Sequence, residues 1–333
     1  MLGDFLDHLT LPQLDWIQVE VSSHCNALCA YCPRTVHRRA WRNRTMPLRD
    51  FERLAPAFAK AGMVHLQGWG EPFLNPEILA MIRLARNAGC AVGTTTNGTL
   101  LDDRLIGELV ASGIDVLAVS LAGIDERNDA IRQGARLQQV LDALRRLDEA
   151  KAFARSSTPA LHVAHLLLRS RLADIEGFAD FYAPLPVSQV VVCTLDFVPC
   201  PELADEVIAP AKADEYGALR RRLDAAKEAL RAHGKELHYR LRQPGATLGP
   251  CTENVGRSLF VSVTGAVSPC VFTNLPLPDE TAAAPYCHRS FGNIHDASVG
   301  RIWRSGDYRA FRAAFRAGRV PAGCVDCPKA VAT

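Results

Sequence analysis

Three closely spaced cysteines constrain this chain more than anything else in it. An alternating apolar run through Val19 and Val21 ends at Ser22, and Cys25, Cys29 and Cys32 follow at once with C-x3-C-x2-C spacing. A strand therefore delivers three soft thiolates to one loop. Three thiolates hold three irons of a four-iron cube and leave its fourth corner without a protein ligand, and an open corner is where a small molecule can chelate iron. The alternatives are a zinc knuckle or a reduced structural cysteine group. Structural zinc sites use four closed ligands, commonly in paired C-x2–4-C units, and this loop supplies three with unequal spacing.

Composition narrows the setting. The 333 residues are 48% hydrophobic and 22% charged, with a formal net charge of +2. That length buries a large core and allows one barrel-sized domain with a smaller appendage. The near-neutral charge makes no general case for nucleic acid or an acidic membrane as partner. No stretch reaches the ~18 to 20 uninterrupted apolar residues of a membrane span. Residues 1 to 8 carry two acids and no basic segment, so they do not read as a secretory signal. A cytoplasmic, reducing setting is expected, and eleven cysteines there argue for metal rather than disulfides.

Periodicity gives the fold class. Strands are expected over 16–22, 64–67, 91–96, 116–121, 161–168 and 189–195. Helices are expected over 47–61, 76–88, 101–112, 136–150, 172–183 and 211–233. Strands alternating with helices make a parallel α/β series. Six repeats are too few for a closed eight-stranded barrel, which needs ~250 residues for the barrel alone. The count fits a partial (β/α)6 barrel. Functional groups of such folds gather where strands end, and here the cysteine loop, Gly68-Trp69-Gly70-Glu71-Pro72, Thr96-Asn97-Gly98 and Ser120 all lie at strand ends. Between Cys32 and the helix at 47 runs a basic stretch, Arg34, His37, Arg38, Arg39, Arg42 and Arg44 around Trp41. It reads as a solvated loop face or as a clamp for an acidic substrate or partner.

The cysteine loop resembles the cluster-binding signature of the radical S-adenosylmethionine (radical SAM) superfamily. The resemblance implies Cys25, Cys29 and Cys32 as cluster ligands, Tyr31 beside the adenine, and the same partial barrel. The family's motif after strand two is usually Gly-Gly-Glu-Pro, whose backbone and acid meet the methionine ammonium. Gly70, Glu71 and Pro72 align with it, and Trp69 replaces its first glycine. Ser120 and Arg132, the latter within Ile131-Arg132-Gln133-Gly134, correspond to the residues that hold the methionine carboxylate, a group that a guanidinium fork suits.

After Pro244 the helical periodicity breaks and cysteines return. Runs over 259–263 and 266–270 flank Thr264-Gly265 as a hairpin, with Cys251 before it and Cys270 at its far end. A helix containing Trp303 and another over 307–316 precede Cys324-Val325-Asp326-Cys327. Cys251, Cys270, Cys324 and Cys327 make a full set of four thiolates, a closed site for either an iron-sulfur cluster or zinc. Together with Gly265, Phe291-Gly292-Asn293-Ile294 and Ile302-Trp303, they resemble the SPASM/twitch extension of a radical SAM subgroup. Its single-cluster twitch form is the better match, because no further cysteines follow Cys327. The expected organisation is a barrel over residues 1–240 and a small hairpin and helix extension over 241–333.

The resemblance implies two [4Fe-4S] clusters and S-adenosylmethionine as cofactors, and a flavodoxin or ferredoxin as electron donor. It implies an oxidoreductase that forms a 5′-deoxyadenosyl radical and abstracts a hydrogen from its substrate, in peptide or protein modification or enzyme maturation. The alternatives are dehydrogenation of a small sugar-like alcohol and a non-catalytic electron-transfer protein. Catalytic acid–base residues are not assigned. Cys90 reads as a small buried hydrophobe. The side-chain direction of Cys193 is not legible, and Cys200 and Cys287 could serve as hydrogen donors or cluster ligands.

Overall fold

A computed structural model describes residues 10–245, 251–275, 288–321, 324, 327 and 329. Its principal strands, in chain order, are β1 (Leu14–Val19), β2 (Ala61–Leu66), β3 (Ala91–Thr96), β4 (Val116–Leu121), β5 (Ala160–Leu167), β6 (Gln189–Thr194), β7 (Glu236–Tyr239), β8 (Ser258–Val261) and β9 (Val267–Ser268). Helices α1 (Ile78–Asn87), α2 (Asp103–Ser112), α3 (Leu137–Phe153), α4 (Phe178–Tyr182), α5 (Ala213–Arg231), α6 (Val299–Trp303) and α7 (Gly306–Arg316) intervene or follow. The chain forms two compact units, one of residues 1–25, 39–94 and 248–331, the other of 26–38, 95–247 and 332–333.

In the first unit the sheet order is β9-β8-β1-β2-β3. β1 pairs in parallel with β2 and with β8, Val19 standing opposite both Leu66 and Val261. β8 turns back on β9 as the expected antiparallel hairpin, with Gly265 at φ +81° in its turn. The parallel pairing of the hairpin with β1 was not foreseen. Strands this far apart in sequence pair through burial of both faces, and all four residues of β8 are buried.

The single helix expected over 47–61 is instead three short pieces, helical at Leu48–Phe51, 3₁₀ at Glu52–Leu54 and helical again at Ala55–Phe58. Pro56 lacks the N–H that would bond Glu52, so the ladder tightens and breaks. The apolar face survives, with Phe51, Leu54 and Phe58 fully buried. α1 buries Ile78, Met81, Ile82 and Ala85 at helical spacing, as expected.

The second unit orders its strands β4-β5-β6-β7, all in parallel. Asp102 caps α2 by accepting from Leu105 N (2.7 Å), and Gly113 at φ +70° ends it. The expected helix over 172–183 is mostly a 3₁₀ run, Arg169–Gly177, followed by the short α4. Buried Arg171 donates from Nε to Asp174 (3.0 Å) and reaches Asp125 at 3.1 Å, and this pairing holds the segment to its tighter winding. β7 adds a parallel strand that the periodicity does not predict. Its Glu-Leu-His-Tyr run is short and exposes alternate polar residues, a weak signal by itself.

Glu20 directly follows β1 and is 1% exposed. Its Oε1 accepts from Trp69 N (3.0 Å) and its Oε2 from Val263 N (3.1 Å), so one carboxylate holds the turn after β2 and the end of β8. Burial outweighs those two hydrogen bonds and raises its pKa to about 7. The folded state thus binds the Glu20 proton more tightly than the unfolded chain does. Its contribution is fully present below pH 4.5 and is lost as pH rises through 7. Denaturation of the apo-protein should show Glu20→Gln gaining about 2 to 3 kcal/mol on the parent between pH 5 and pH 8. Parallel pH profiles for the two proteins would contradict this account of Glu20.

Candidate functional site

The approach to Cys25 is built within the first unit by backbone groups. Ser23 N donates to Arg44 O (2.9 Å), Ser23 Oγ to Arg42 O (2.7 Å), and Trp41 Nε1 to Ser23 O (2.9 Å). Residues 68–71 lie against this stretch. A Cβ on Gly70 would stand 2.4 Å from Ser22 O and 2.5 Å from His24 O, so only glycine fits. Glu71 N donates to His24 O (2.7 Å), while the Glu71 side chain, 2% exposed, accepts from Phe73 N (3.3 Å) and caps a turn of 3₁₀ helix. Asn75, which sequence reading missed, donates to Val21 O and Met46 O and ties both sides of the approach together. The backbone around residues 22–25 and 68–71 therefore forms one interlocked body.

Trp69 is accommodated by pointing toward the hairpin. Its indole Nε1 lies 3.3 Å from both Val271 O and Asn274 O, as a shared donor. Its ring stands edge-on to Trp41 at 6.5 Å and to Phe272 at 5.9 Å.

The second unit carries the rest of the loop. Leu28 and Cys29 form a short antiparallel ladder with Gln133 and Arg132, so Cys29 faces Arg132 directly. Gly134 closes this ladder at φ +85°, where a Cβ would meet Asn26 O at 3.3 Å. Arg132 is 4% exposed, and its Nη1 donates to the Tyr31 hydroxyl. Burial drives the Tyr31 phenol well above its ordinary range even beside that guanidinium, so Tyr31 stays a neutral phenol. Arg34, from the basic run, donates to Ala27 O (3.0 Å) and braces the loop from below.

Two asparagine networks fix this region, and neither was read from the sequence. Asn97 donates to Asn26 Oδ1 (2.8 Å) and Asn26 to Thr99 Oγ1 (2.7 Å), joining the cysteine loop to the turn after β3. Asn128 is fully buried, accepts from Ala122 N and donates to Ala135 O. It shapes the segment that carries Arg132. The clue available in sequence was the Asn-Gly-Thr turn at 97–99; Asn128 gave none, since a buried asparagine looks like any helix-start asparagine.

Ser120 is the penultimate residue of β4 and stands in register with Ala164, which pairs with Val191 on β6. Cys193, two residues beyond Val191, shares that sheet face with Ser120, so its direction is now defined. Cys90 is buried, with its sulfur 3.2 Å from Ala85 O, as a small hydrophobe should be. Cys200 is half-buried and precedes a 3₁₀ turn over Pro201–Glu206 in the second unit. Cys287 lies outside the described residues.

Cys251, Cys270, Cys324 and Cys327 line one small cavity of the first unit, walled by Phe272 and Phe311. Cys327 N donates to Cys324 O (3.2 Å), and Thr252 N to Lys329 O (2.8 Å), so the terminal C-x2-C turn is sewn to the chain beside Cys251. Burial pushes the Cys251 thiol up to about 12 and raises Cys270 as well. Four sulfurs on one apolar cavity suit a cluster with a closed ligand set, and loading it must expel thiol protons. Among the described residues no three His, Cys, Asp or Glu side chains converge on a single-ion site.

The profile of the radical SAM superfamily matches residues 19–162, and that of the SPASM iron-sulfur cluster-binding domain matches residues 251–328. The tungsten-containing aldehyde ferredoxin oxidoreductase cofactor-modifying protein of Pyrococcus furiosus is 23% identical over 327 residues, covering 94% of this chain and 87% of that protein. The PqqA peptide cyclase of Ruegeria pomeroyi is 24% identical over 342 residues, covering 98% and 83%. Among solved structures, SuiB of Streptococcus suis bound to S-adenosylmethionine superposes with a TM-score of 0.68 at 14% identity, covering 93% of this chain and 70% of SuiB. SuiB bound to its precursor peptide SuiA superposes with a TM-score of 0.65 at 15% identity, covering 93% and 69%.

The shared fold is the α/β partial (β/α)6 barrel with a cysteine-bearing hairpin and helix extension. The cofactors that go with the two matched domains are an S-adenosylmethionine-binding [4Fe-4S] cluster, an auxiliary [4Fe-4S] cluster and S-adenosylmethionine. Since the two profiles fall on the two cysteine sets and together account for most of its length, this chain belongs to the radical SAM superfamily and carries a SPASM-type auxiliary cluster domain.

Proposed function

We propose that the chain is a radical SAM oxidoreductase that abstracts a hydrogen atom from a peptide or protein substrate, in peptide modification or enzyme maturation. The pairing of Cys29 with Arg132, with Tyr31 bonded to the same guanidinium, is the observation that carries the chemistry. It supports a cluster ligand and a carboxylate receptor on neighbouring strands. When bound, the first cluster and S-adenosylmethionine supply reductive cleavage to methionine and a 5′-deoxyadenosyl radical.

The chain's own residues would hold and align. Cys25, Cys29 and Cys32 hold three corners of the cluster. Arg132 offers its fork to the methionine carboxylate with Ser120 as a second donor, and Tyr31 packs beside the adenine. Gly70 presents bare backbone and Glu71 its carboxylate near the methionine ammonium. Cys251, Cys270, Cys324 and Cys327 hold the auxiliary cluster, whose closed ligand set suits electron transfer rather than substrate binding. On this reading residues 1–240 form the catalytic barrel and 241–333 the auxiliary domain. A cytoplasmic flavodoxin or ferredoxin supplies the electron.

Peptide or protein is the favoured substrate class because the PqqA peptide cyclase matches over nearly the whole chain and SuiB shares the fold in its peptide complex. The Pyrococcus relative, a cofactor-modifying protein, supports maturation of an enzyme as the second reading. The reduced protein should release 5′-deoxyadenosine from S-adenosylmethionine and Cys29→Ala should not. Deuterium from a labelled peptide or protein substrate should appear in that deoxyadenosine. Deuterium arriving instead from a labelled sugar alcohol, with none from peptide or protein, would remove the peptide reading.

Anaerobic reconstitution should give about eight irons per chain, falling to about four when Cys25, Cys29 and Cys32 are all alanine. Zinc in the second site, with about four irons in the parent, would contradict the auxiliary cluster. Arg132→Ala removes a charge-assisted pair of hydrogen bonds, at a cost of about 1.5 to 3 kcal/mol. S-adenosylmethionine binding should weaken about 10- to 150-fold, with the first cluster still loaded. Unchanged affinity would take the carboxylate from Arg132.

A further inference from the structure

Trp69 lies between two loops that each lead to a cysteine. On one side Trp41 meets its ring, and Trp41 Nε1 holds Ser23 O, two residues before Cys25. On the other side the Trp69 indole N–H is shared by Val271 O and Asn274 O, which bracket the turn after Cys270. Phe272, in edge contact with Trp69, is itself a wall of the cavity lined by the four auxiliary cysteines. The backbone on either side of Trp69 is equally engaged. Its own N–H is held by Glu20, whose other oxygen holds Val263 at the hairpin, and the next residue, Gly70, presses on Ser22 and His24.

Gly68 adds a constraint. A Cβ there would stand 2.3 Å from Glu20 Cγ, so the turn packs directly against the side chain whose Oε1 accepts from Trp69 N. A residue held at its backbone by one loop and at its ring by another has little freedom to relax when either loop moves. Closely packed interiors respond to such movement by switching between discrete arrangements rather than by deforming smoothly.

We propose that Trp69 is a positioning residue that couples the auxiliary site to the turn Gly68-Trp69-Gly70-Glu71, so that filling the auxiliary site sets how tightly the first site binds S-adenosylmethionine. The inference rests on the proposed assignment of Gly70 and Glu71 to that ligand. With the auxiliary site filled, Cys270 is fixed, Val271 and Asn274 hold the indole, and the turn stays pressed against the approach to Cys25. With it empty, the Cys270 loop loses its anchor, and the turn loses the support that the indole transmits. Coupling of this kind is reciprocal, so S-adenosylmethionine binding also stabilises the filled auxiliary site.

The test is a double-mutant cycle on the reconstituted full-length protein, reading S-adenosylmethionine affinity from the change it induces in the electron paramagnetic resonance spectrum of the reduced first cluster. The four proteins are the parent, Cys327→Ser shown by its iron content to lack the auxiliary cluster, Trp69→Leu, and the double variant. Cys327→Ser should weaken binding about tenfold. Trp69→Leu should weaken it by a similar factor, and the double variant should be no weaker than either single. Trp69→Phe keeps the ring edges and loses the N–H, so it should fall between parent and Trp69→Leu, and it replaces the latter in the cycle if that variant does not load both clusters.

Additive effects in the cycle would overturn the coupling and leave Trp69 a packing residue. So would a Cys327→Ser protein that binds S-adenosylmethionine as the parent does. Glu71→Gln, which keeps an oxygen for Phe73 N and removes the charge offered to the ligand, separates the two readings. If it leaves affinity untouched, the assignment of the turn to S-adenosylmethionine has failed; if it weakens binding while the cycle is additive, only the coupling has.

Discussion

A buried carboxylate bonded to two backbone amides from distant parts of the sequence is the constraint on which the first unit depends. Glu20 sits where β1 ends, and its oxygens take the N–H groups of Trp69 and Val263. Each amide would otherwise be a donor at the end of a strand, and an unpaired buried donor costs about 1 to 3 kcal/mol. The carboxylate is itself costly to bury, which is why its pKa rises to about 7. Such a group is retained where it specifies an arrangement that apolar packing alone would leave loose. Here it specifies that β8 lies in parallel beside β1 and that the turn after β2 closes over the approach to Cys25.

Much of this was legible because the signals were local. The six strands from β1 to β6 and most helices follow from periodicity, with boundaries off by one to three residues, and the hairpin around Gly265 follows from its turn. Spacing also grouped Cys251, Cys270, Cys324 and Cys327, which line one cavity. What sequence reading missed was either weakly patterned, as in the four residues of β7, or non-local, as in the pairing of β8 with β1. The broken helix over 48–58 shows a different failure. Its apolar face was read correctly, and the one residue that mattered, Pro56, was overruled by that face although it removes a ladder donor.

The site divides in the same way. Arg132 could be aligned to a motif, but its place opposite Cys29 is set by Gly134, whose positive φ and contact with Asn26 exclude a side chain, and by the fully buried Asn128. Glu71 illustrates the reverse case. A motif assigns its acid to a ligand, yet its carboxylate also caps the turn at Phe73, and its N–H is already committed to His24. A residue with both duties will show two effects when mutated, one on local folding and one on binding. For that reason Arg132, whose side chain bonds the Tyr31 hydroxyl and no backbone amide that folds a turn, is the cleaner probe of the proposed ligand.

Trp69 is the point at which the local and the non-local parts of the design meet. In the motif after β2 a tryptophan is a misfit, since a tight turn against backbone favours small residues, and both neighbours, Gly68 and Gly70, do admit no side chain. The turn tolerates Trp69 because its ring leaves the turn altogether and lodges between Trp41 and Phe272, with its N–H shared by two carbonyls beyond Cys270. A bulky aromatic is thereby converted from an obstruction into a strut. The cost of a glycine on each side is the conformational freedom that each surrenders on folding. Aromatic edge contacts of about 0.5 to 1.5 kcal/mol each offset it.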